Sequence, residues 1–382
     1  MHLRQLCKLY AAIIMEKIQQ REKILSHPKP LSPNQRRAVL SSSQHIRIIA
    51  GAGAGKTETL TRRIVYHLIY EEIDPAAIVA FTFTDKAAQG MKSRIYDRLK
   101  DMGRDDLRAR IGDLYVGTIH GYCYRLLTDY FNYGNHDVFD ENQERAFLSI
   151  VGKDLGLADS GNYIRNCKNF LETVKVVEGE LIPDETIQEN SPGFHEKLNL
   201  YKSKLAENKR LTYDRMVRLA VENLEKEPET LRHIKHLLVD EYQDTNYSQY
   251  FWARLLASRH HNIFVVGDPD QSIYSWRGAE PYNIKRFLGD YPDSRLIKME
   301  MNYRSSGNIL SAANAVICNN EEREEKQLYT QKGQGEKLVH FCAGDSFQEA
   351  RFIADEINQL LRSENRHFQD FAVFYRTHAQ SR

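Results

Sequence analysis

The feature that most limits how this chain can fold is a glycine-rich loop between a predicted strand and a predicted helix. Residues 50–57 read Ala-Gly-Ala-Gly-Ala-Gly-Lys-Thr and directly follow the apolar run His45 to Ile49. They open a helix in which Leu60, Ile64 and Leu68 recur every four residues. Glycines let backbone N–H groups curl around phosphate oxygens at the positive end of a helix. This context favours a phosphate-binding loop over an ordinary flexible turn.

The residues of this loop have separate predicted roles. Lys56 would reach the outer phosphates, and the Thr57 hydroxyl would ligate Mg²⁺. The strict pattern begins with glycine, and Ala50 in its place is a small departure. The predicted nucleotide contacts of the loop are Ala52, Gly53, Ala54, Gly55, Lys56, Thr57 and Glu58.

Two further predicted strands end in polar residues of the kind that a nucleotide site needs. Residues 237–241 read Leu-Leu-Val-Asp-Glu, so a strand delivers Asp240 and Glu241 at its end. An acidic pair alone is more often a helix cap. Beside a phosphate loop, we expect Asp240 to hold Mg²⁺ through water and Glu241 to orient and deprotonate the attacking water. The other strand ends at residues 267–271, either in a polar turn or with the Gln271 amide sensing the terminal phosphate.

The base is predicted to be adenine rather than guanine. Guanine-binding proteins usually carry an Asn-Lys-x-Asp segment, and the nearest string, residues 208–211, reads Asn-Lys-Arg-Leu and lacks the acid. The predicted cofactors are therefore ATP and Mg²⁺.

Apolar runs that alternate with helical stretches predict an α/β fold, with a parallel sheet flanked by helices. The predicted strands span residues 45–49, 78–83, 236–239 and 263–266. The alternation is absent from about residue 126 to 211, which we expect to be a helical insertion with helices such as 141–155 and 194–208.

A further unit begins near Met301. Strands are predicted at residues 337–342 and 371–375, around a helix from 347 to 361. The sequence stops at Arg382, just after the second of these strands, so we expect the chain to be truncated within this unit.

Composition excludes several classes of protein. The 382 residues allow two or three domains at roughly 100–200 residues each. Lysine and arginine number 53 against 52 aspartates and glutamates, which excludes a uniformly basic protein that coats nucleic acid. Any nucleic acid would have to bind in a local groove.

The cysteines and the N-terminal region predict a cytoplasmic protein. Five cysteines stand at wide intervals with no Cys-x-x-Cys pair, which is typical of reduced thiols. The longest apolar run near the N-terminus, residues 9–15, is far shorter than the ~20 residues that span a bilayer. Residues 3–24 have helical spacing and precede Pro28 and Pro30, so we expect a helix there, no targeting signal and no membrane partner.

In their order along most of the chain, these motifs resemble those of superfamily 1A helicases of the UvrD, Rep and PcrA type. Residues 31–35 resemble the Q motif, and 50–57, 81–88 and 117–121 resemble motifs I, Ia and Ib. Motifs II, III and IV are similar to residues 239–246, 267–278 and 302–305, and residues 375–382 resemble the segment that follows.

The resemblance implies a particular division of the chain. It would place an N-terminal helical extension at 1–26, a RecA-like motor lobe at 27–125 and 212–300, a helical insertion at 126–211, and the first part of a second RecA-like lobe at 301–382. Motifs V and VI are absent from these residues, so we expect the chain alone to hydrolyse ATP poorly.

The resemblance also implies roles for residues that the bare chemistry leaves open. Gln35 would read the adenine edge, Tyr303 would stack on the base, and Arg304 would contact the terminal phosphate. The implied partner is single-stranded DNA, including its junctions with duplex; protein partners stay open. The residues implied to line its path are Phe83, Thr118, His120, Tyr274, Trp276 and Arg277. Aromatic faces there would stack on bases without choosing sequence, although Phe83 and Trp276 could instead be core residues and His120 a satisfied buried histidine.

Two departures from the family pattern bear on the site. Glu58 stands where the family usually has an arginine that backs the adenine, so we expect either weaker base affinity or substitution by Arg62. In motif Ia, Asp85 replaces the usual Asn and Gly90 the usual Glu.

The implied function is ATP-dependent translocation on single-stranded DNA from 3′ to 5′ with duplex unwinding, in DNA repair or replication, by a cytoplasmic protein associated with the nucleoid. One alternative is a helicase subunit of a recombination helicase and nuclease complex. Another is a nucleotide-switched scaffold that does not translocate.

Overall fold

The computed structural model describes residues 2–159, 161–273, 283–320, 323–363 and 366–381. The chain divides into two compact units, Met1–Gly333 and Gln334–Arg382. The strands of the described residues are β1 (His45–Ala50), β2 (Ile78–Phe81), β3 (Tyr115–Gly117), β4 (Asp137–Phe139), β5 (Arg210–Thr212), β6 (His236–Val239), β7 (Ile263–Gly267), β8 (Arg295–Met299), β9 (Met301–Asn302) and β10 (Tyr329–Thr330).

Seven of the described α-helices begin at a polar residue whose side chain caps the helix. Side chains that accept N–H groups of the first turn are those of Ser32, Thr84, Thr118, Asp140, Asn162, Thr212 and Asn246. The α-helices of the described residues are α1 (His2–Ser26), α2 (Pro33–Leu40), α3 (Lys56–Ile69), α4 (Asp85–Asp101), α5 (Asp105–Ala109), α6 (Ile119–Tyr130), α7 (Glu141–Val151), α8 (Tyr163–Gly179), α9 (Asp184–Asn190), α10 (Pro192–Glu207), α11 (Tyr213–Lys226), α12 (Tyr247–Ala257), α13 (Asn283–Asp290), α14 (Gly307–Ile317) and α15 (Ser346–Ser363).

The first unit is built on a six-stranded sheet in the order β3-β2-β6-β7-β1-β8. Each described pairing in it is parallel; Ile48, for example, lies opposite Val266 of β7 and Ile297 of β8. The predicted α/β class is confirmed, and so are the four predicted strands, which the structure places within two residues of their expected bounds. The sequence did not predict the two edge strands, β3 and β8.

Alternate strand residues supply two separate cores because successive side chains point to opposite faces of a sheet. Ile46, Ile48, Ala80 and Phe264 pack with α2, α3 and α4 on one face. The other face, which includes Phe81, packs with α6, α11, α12 and α13. With both faces covered, the strands are apolar almost throughout, which is typical of a parallel sheet.

Helices α7 to α10 follow β4 and precede β5 in sequence, and they form a third core; the two short strands pair with each other. Leu148, Phe170, Leu198 and Tyr201 are buried in it. The Tyr201 hydroxyl donates to the buried Glu144 carboxylate at 3.1 Å, which satisfies both polar groups. The helices predicted at 141–155 and 194–208 are observed as α7 and α10.

The second unit contains α15 and a stacked pair of rings, Phe341 and Phe352, with centroids 4.1 Å apart. The strands predicted at 337–342 and 371–375 are wrong, because neither segment has a ladder partner among the described residues of this unit. Among the described helices of the whole chain, none has the length and apolarity that crossing a bilayer demands.

Candidate nucleotide-binding site

The predicted site residues meet at the carboxyl edge of the six-stranded sheet. The glycine-rich loop follows β1, Asp240 and Glu241 follow β6, and Asp268 follows β7, which lies between those two strands. Ligands of open parallel sheets bind at this edge, where the loops after neighbouring strands converge. The order of the strands therefore brings together motifs that are far apart in sequence.

The loop before α3 has the backbone geometry of a phosphate cradle. Gly53 and Gly55 have φ of 70° and 83°, a left-handed region that favours glycine. A Cβ at Gly55 would lie 2.5 Å from Nε2 of Gln35, so a larger residue would have to displace the Gln35 amide. Gly55 is also the N-cap of α3 and, among the described residues, no side chain caps this helix. Its first N–H groups therefore face the loop and can bind an anion.

Lys56 and Glu241 are in direct contact at this edge. The Nζ of Lys56 donates to Oε2 of Glu241 at 2.5 Å, and Nε2 of Gln243 donates to the same oxygen at 3.0 Å. Glu241 has φ of 49°, a left-handed conformation that costs a residue with a side chain roughly 1–3 kcal/mol. Such strain is concentrated at functional sites, where the surroundings hold it in place.

Asp240 is a half-buried carboxyl group beside a second negative charge. Burial, and next the charge of Glu241, raise the pKa of Asp240 to about 7, although Lys56 opposes the shift. Burial and Glu241 also raise the pKa of Asp244 to about 6. An added cation would relieve the repulsion among these carboxylates.

The residues of this edge fit a Mg²⁺-bound triphosphate. The Thr57 hydroxyl and the Asp240 carboxylate offer the oxygen ligands that Mg²⁺ prefers. Lys56 and the N–H groups at the start of α3 offer positive charge to phosphate oxygens.

Gln243 joins two strand ends, a role that the sequence did not reveal. Its Oε1 accepts the Asp268 N–H at 2.9 Å, while its Nε2 donates to Glu241 and to Asp244. The side chain is buried, so one amide fixes the loop after β6 against the loop after β7. The only hint of this role in the sequence was the position of Gln243 two residues after Glu241.

Gln271 lies within a buried network of charges. Its Nε2 donates to Oδ2 of Asp268 at 2.5 Å, and the Nζ of Lys326 donates to Oδ1 of the same carboxylate at 2.5 Å. Lys326 also binds Asp270, as does Arg323. The predicted phosphate sensor is therefore anchored to Asp268 in this conformation.

The predicted base-binding residues lie together beside the loop. The buried Gln35 donates from Nε2 to the Ala54 carbonyl at 3.2 Å, and its Oε1 accepts the Ser32 N–H at 2.9 Å. The half-exposed Tyr303 donates from its hydroxyl to the same Oε1 at 3.4 Å. Both polar atoms of the Gln35 amide are thus engaged by protein groups.

Asn302 holds the segment that carries Tyr303 and Arg304 against the loop. Its Nδ2 donates to the Ala52 carbonyl at 2.6 Å, and its Oδ1 accepts the Arg304 N–H at 2.7 Å. The Tyr303 N–H donates to the Gly53 carbonyl at 2.9 Å. Arg304 is exposed at this position. The sequence named Asn302 as part of a motif but did not predict this bridging role.

Glu58 is bound to two arginines instead of facing the base. Nη2 of Arg98 donates to both of its oxygens, at 2.6 and 2.5 Å, and Nε of Arg62 donates to it at 2.7 Å. Arg62 is fully buried and also donates to the carbonyls of Ile24 and Lys29. These contacts fix the guanidinium of Arg62, so it cannot substitute for the missing arginine without breaking them.

Three of the residues predicted to contact DNA lie after the neighbouring strands β2 and β3. Phe83 follows β2 and is 37% exposed, and Thr118 caps α6 after β3. His120 stacks edge-on to Tyr213, and burial lowers its pKa to about 4, so it is neutral at pH 7. The other three, Tyr274, Trp276 and Arg277, lie outside the described residues.

The chain is similar to helicase sequences along most of its length. The family model described as the UvrD/REP helicase N-terminal domain matches residues 31–292, and that of the UvrD-like helicase C-terminal domain matches 297–382. ATP-dependent DNA helicase UvrD1 of Mycobacterium tuberculosis is 37% identical over 376 residues, with 92% of this chain and 47% of the relative covered. ATP-dependent DNA helicase PcrA of Bacillus subtilis is 36% identical over 365 residues, with 92% and 48% covered. The chain thus spans about half the length of the curated relatives it matches.

Proposed function

The chain belongs to the UvrD/REP helicase family, and from this premise we propose that it carries the ATP site of a helicase that moves 3′ to 5′ on single-stranded DNA. It would act on strands and on their junctions with duplex, in DNA repair or replication in the cytoplasm, at the nucleoid. The observation that supports this most directly is the contact between Lys56 and Glu241 beside the glycine-rich loop.

The contact suggests how nucleotide binding would prepare hydrolysis. The Lys56 ammonium neutralises the Glu241 carboxylate in this contact. Phosphate oxygens would draw the ammonium away and leave Glu241 able to accept a proton from water. Thr57 and Asp240 would hold Mg²⁺, which supplies positive charge against phosphate oxygens when bound.

Asn302 connects the nucleotide-binding loop to the segment that carries Tyr303 and Arg304. Because its amide bridges Ala52 of the loop and the backbone of Arg304, a movement of the loop would be transmitted to Arg304 and Tyr303. Arg304 would then contact the terminal phosphate, and Tyr303 would cover the base. A phosphate-dependent shift between two arrangements of this segment would couple hydrolysis to movement.

DNA would cross the carboxyl ends of β2 and β3. The exposed ring of Phe83 offers a stacking surface, and base stacking on an aromatic side chain contributes about 1–3 kcal/mol without sequence preference. His120 would contribute no charge at pH 7, so its contribution would be packing or a neutral hydrogen bond.

A titration of the chain with a fluorescent single-stranded oligonucleotide tests the proposal. It is performed with and without a non-hydrolysable ATP analogue and Mg²⁺, at two salt concentrations. We expect the chain to bind the oligonucleotide with an affinity that changes when the analogue is present. The affinity should fall as the salt concentration rises, because contacts to DNA phosphates release counterions.

Two variants sharpen this test. Phe83→Ala should weaken oligonucleotide binding by ~5-fold or more, whereas Tyr130→Ala, which removes an exposed ring on α6, should not. Nucleotide binding with no oligonucleotide binding at either salt concentration would instead support the nucleotide-switched scaffold.

A further inference from the structure

A second cluster of ligand-type side chains lies at the other end of the sheet from the nucleotide site. It consists of His67 near the end of α3, Glu71 just after that helix, and His236, the first residue of β6. One ligand atom from each of the three lies within 4.8 Å of the other two. The imidazoles of His67 and His236 have centroids 4.2 Å apart, and Nδ1 of His67 lies 2.6 Å from Oε2 of Glu71.

We propose that His67, Glu71 and His236 form a binding site for a zinc-like divalent transition-metal ion. Two imidazoles and one carboxylate are a common set of three protein ligands for Zn²⁺, with water in the fourth position. Among the described residues these are the ones whose ligand atoms converge in this way. Mg²⁺ is a poor candidate here, because it prefers oxygen ligands.

The contact between His67 and Glu71 sets one condition for a metal. Nδ1 of His67 and Oε2 of Glu71 are 2.6 Å apart and share a hydrogen bond. A metal ion held by these two atoms would have to displace the proton between them, because metal ligands must be deprotonated.

A small cleft gives access to the cluster. Gln44, Asn262 and both histidines line it, so polar side chains surround the imidazoles on this side.

One cationic side chain opposes the binding of a metal. Arg63 is buried and lines the same cleft, where its charge favours the ionised form of Glu71. Its guanidinium, however, donates to the carbonyls of Ala38, Val39 and Ser41 and lies over the Phe264 ring. These contacts stabilise the positive charge of Arg63 and hold its guanidinium in this position. We therefore expect weaker binding than at a closed site with four protein ligands.

The location predicts a structural role rather than a catalytic one. Helix α3 begins at Lys56 and has 14 residues, which at 1.5 Å each span about 20 Å. Strand β6 leads to Asp240 at its opposite end. A metal held by His67 and His236 would join the far ends of the two elements that carry the nucleotide-binding residues, and should stabilise the fold without contacting ATP.

The experiment measures Zn²⁺ binding by the purified chain and by three variants, after removal of metal with a chelator and dialysis. Bound zinc is quantified by elemental analysis, and Co²⁺ serves as a spectroscopic probe, since tetrahedral sites absorb in the visible range. Variants His236→Gln and Glu71→Gln each remove one ligand, and His233→Gln, an exposed histidine nearby, is the control.

We expect about one Zn²⁺ per chain in the original protein and the control, with affinity at least ~10-fold lower in each ligand variant. Zn²⁺, but not Mg²⁺, should raise the melting temperature of the original chain. Absence of bound Zn²⁺ in the original chain would overturn the proposal and leave a hydrogen-bonded histidine pair. Equal binding by the original chain and both ligand variants would overturn it as well. Because Glu71 is only partly buried, its variant keeps the test valid even if His236→Gln folds poorly.

Discussion

Nζ of Lys56 lies 2.5 Å from Oε2 of Glu241, although 185 positions separate the two residues in sequence. The first opens α3 after the glycine-rich loop, and the second follows β6. A cation that can bind phosphate and a carboxylate that can accept a proton are therefore in direct contact at the carboxyl edge of the sheet.

Glu241→Gln should separate nucleotide binding from hydrolysis. The amide keeps the size of the side chain but cannot accept a proton from water, and loss of a general base reduces rates by about 10²–10⁴-fold. We expect a fluorescent ATP analogue to bind with affinity close to that of the original chain. Single-turnover phosphate release with saturating oligonucleotide measures the rate; an unchanged rate would remove Glu241 from the chemistry.

The raised pKa of Asp240 predicts a pH-dependent cost to stability. A carboxyl group whose pKa is about 7 in the folded state and about 3.9 when unfolded binds a proton preferentially in the folded state. Its contribution to stability is complete below about pH 4 and is lost as the pH rises through 7. Asp240→Asn removes this loss, so the variant should gain stability relative to the original chain at pH 8 more than at pH 5.

Thermal unfolding at pH 5 and pH 8, at matched ionic strength, measures this difference. We expect the difference between the two pH values to be on the order of a few kcal/mol. Asp97→Asn, at an exposed position, is the control and should show no such change. Asp244, whose pKa is raised to about 6, should keep part of the same pH dependence in the Asp240 variant. If the stability difference between Asp240→Asn and the original chain were the same at pH 5 and pH 8, the raised pKa of Asp240 would be contradicted.

Glu58→Arg, which restores the residue usual in the family, should destabilise this protein. The new side chain would face Arg98 and Arg62 in place of the carboxylate that binds both. Loss of hydrogen bonds to charged groups costs about 1.5–3 kcal/mol, before any repulsion is counted. Chemical denaturation measures the stability of each variant. The double variant Glu58→Arg with Arg98→Glu should recover most of the stability that Glu58→Arg loses, whereas Arg98→Glu alone should not reach the stability of the original chain. Equal stability of the single and double variants would show that the pair is not coupled.

Lys326→Met should be strongly destabilising, because Lys326 neutralises two buried carboxylates. Its side chain is 3% exposed, and those of Asp268 and Asp270 are 3% and 7% exposed. Removal of one partner from a buried ion pair costs about 3–5 kcal/mol. Arg323 stays in contact with Asp270, so the smaller end of that range is expected. The matched control Lys92→Met lies at an exposed position and should change the free energy of unfolding by less than ~0.5 kcal/mol.

The sequence predicted the centre of the sheet better than its edges. Strands β1, β2, β6 and β7 are nearly continuous apolar runs because both faces of the sheet are covered. The edge strand β3 has only three residues, and β8 places Arg295 and Lys298 among its apolar residues, so neither has a clear apolar run. In the second unit, apolar runs were present but no neighbouring strand pairs with them among its described residues.

The candidate site was predictable where residues follow strands and not where it depends on side chains from distant helices or loops. Lys56 and Glu241 follow predicted strands of one sheet, so their proximity follows from the fold. Arg98 reaches Glu58 from 40 positions away, and Lys326 reaches Asp268 from 58 positions away, without a local pattern in either case. Such pairs depend on how helices and loops pack, which periodicity does not encode.

The most direct test of the account is the affinity of the chain for a fluorescent ATP analogue in the presence of Mg²⁺, compared between the original protein and Lys56→Ala. We expect saturable binding that is weakened at least ~10-fold in the variant, since a hydrogen bond to a charged group contributes about 1.5–3 kcal/mol. Lys92→Ala should bind like the original chain. Equal affinity of Lys56→Ala and the original protein would contradict the assignment of a triphosphate to the carboxyl edge of this sheet.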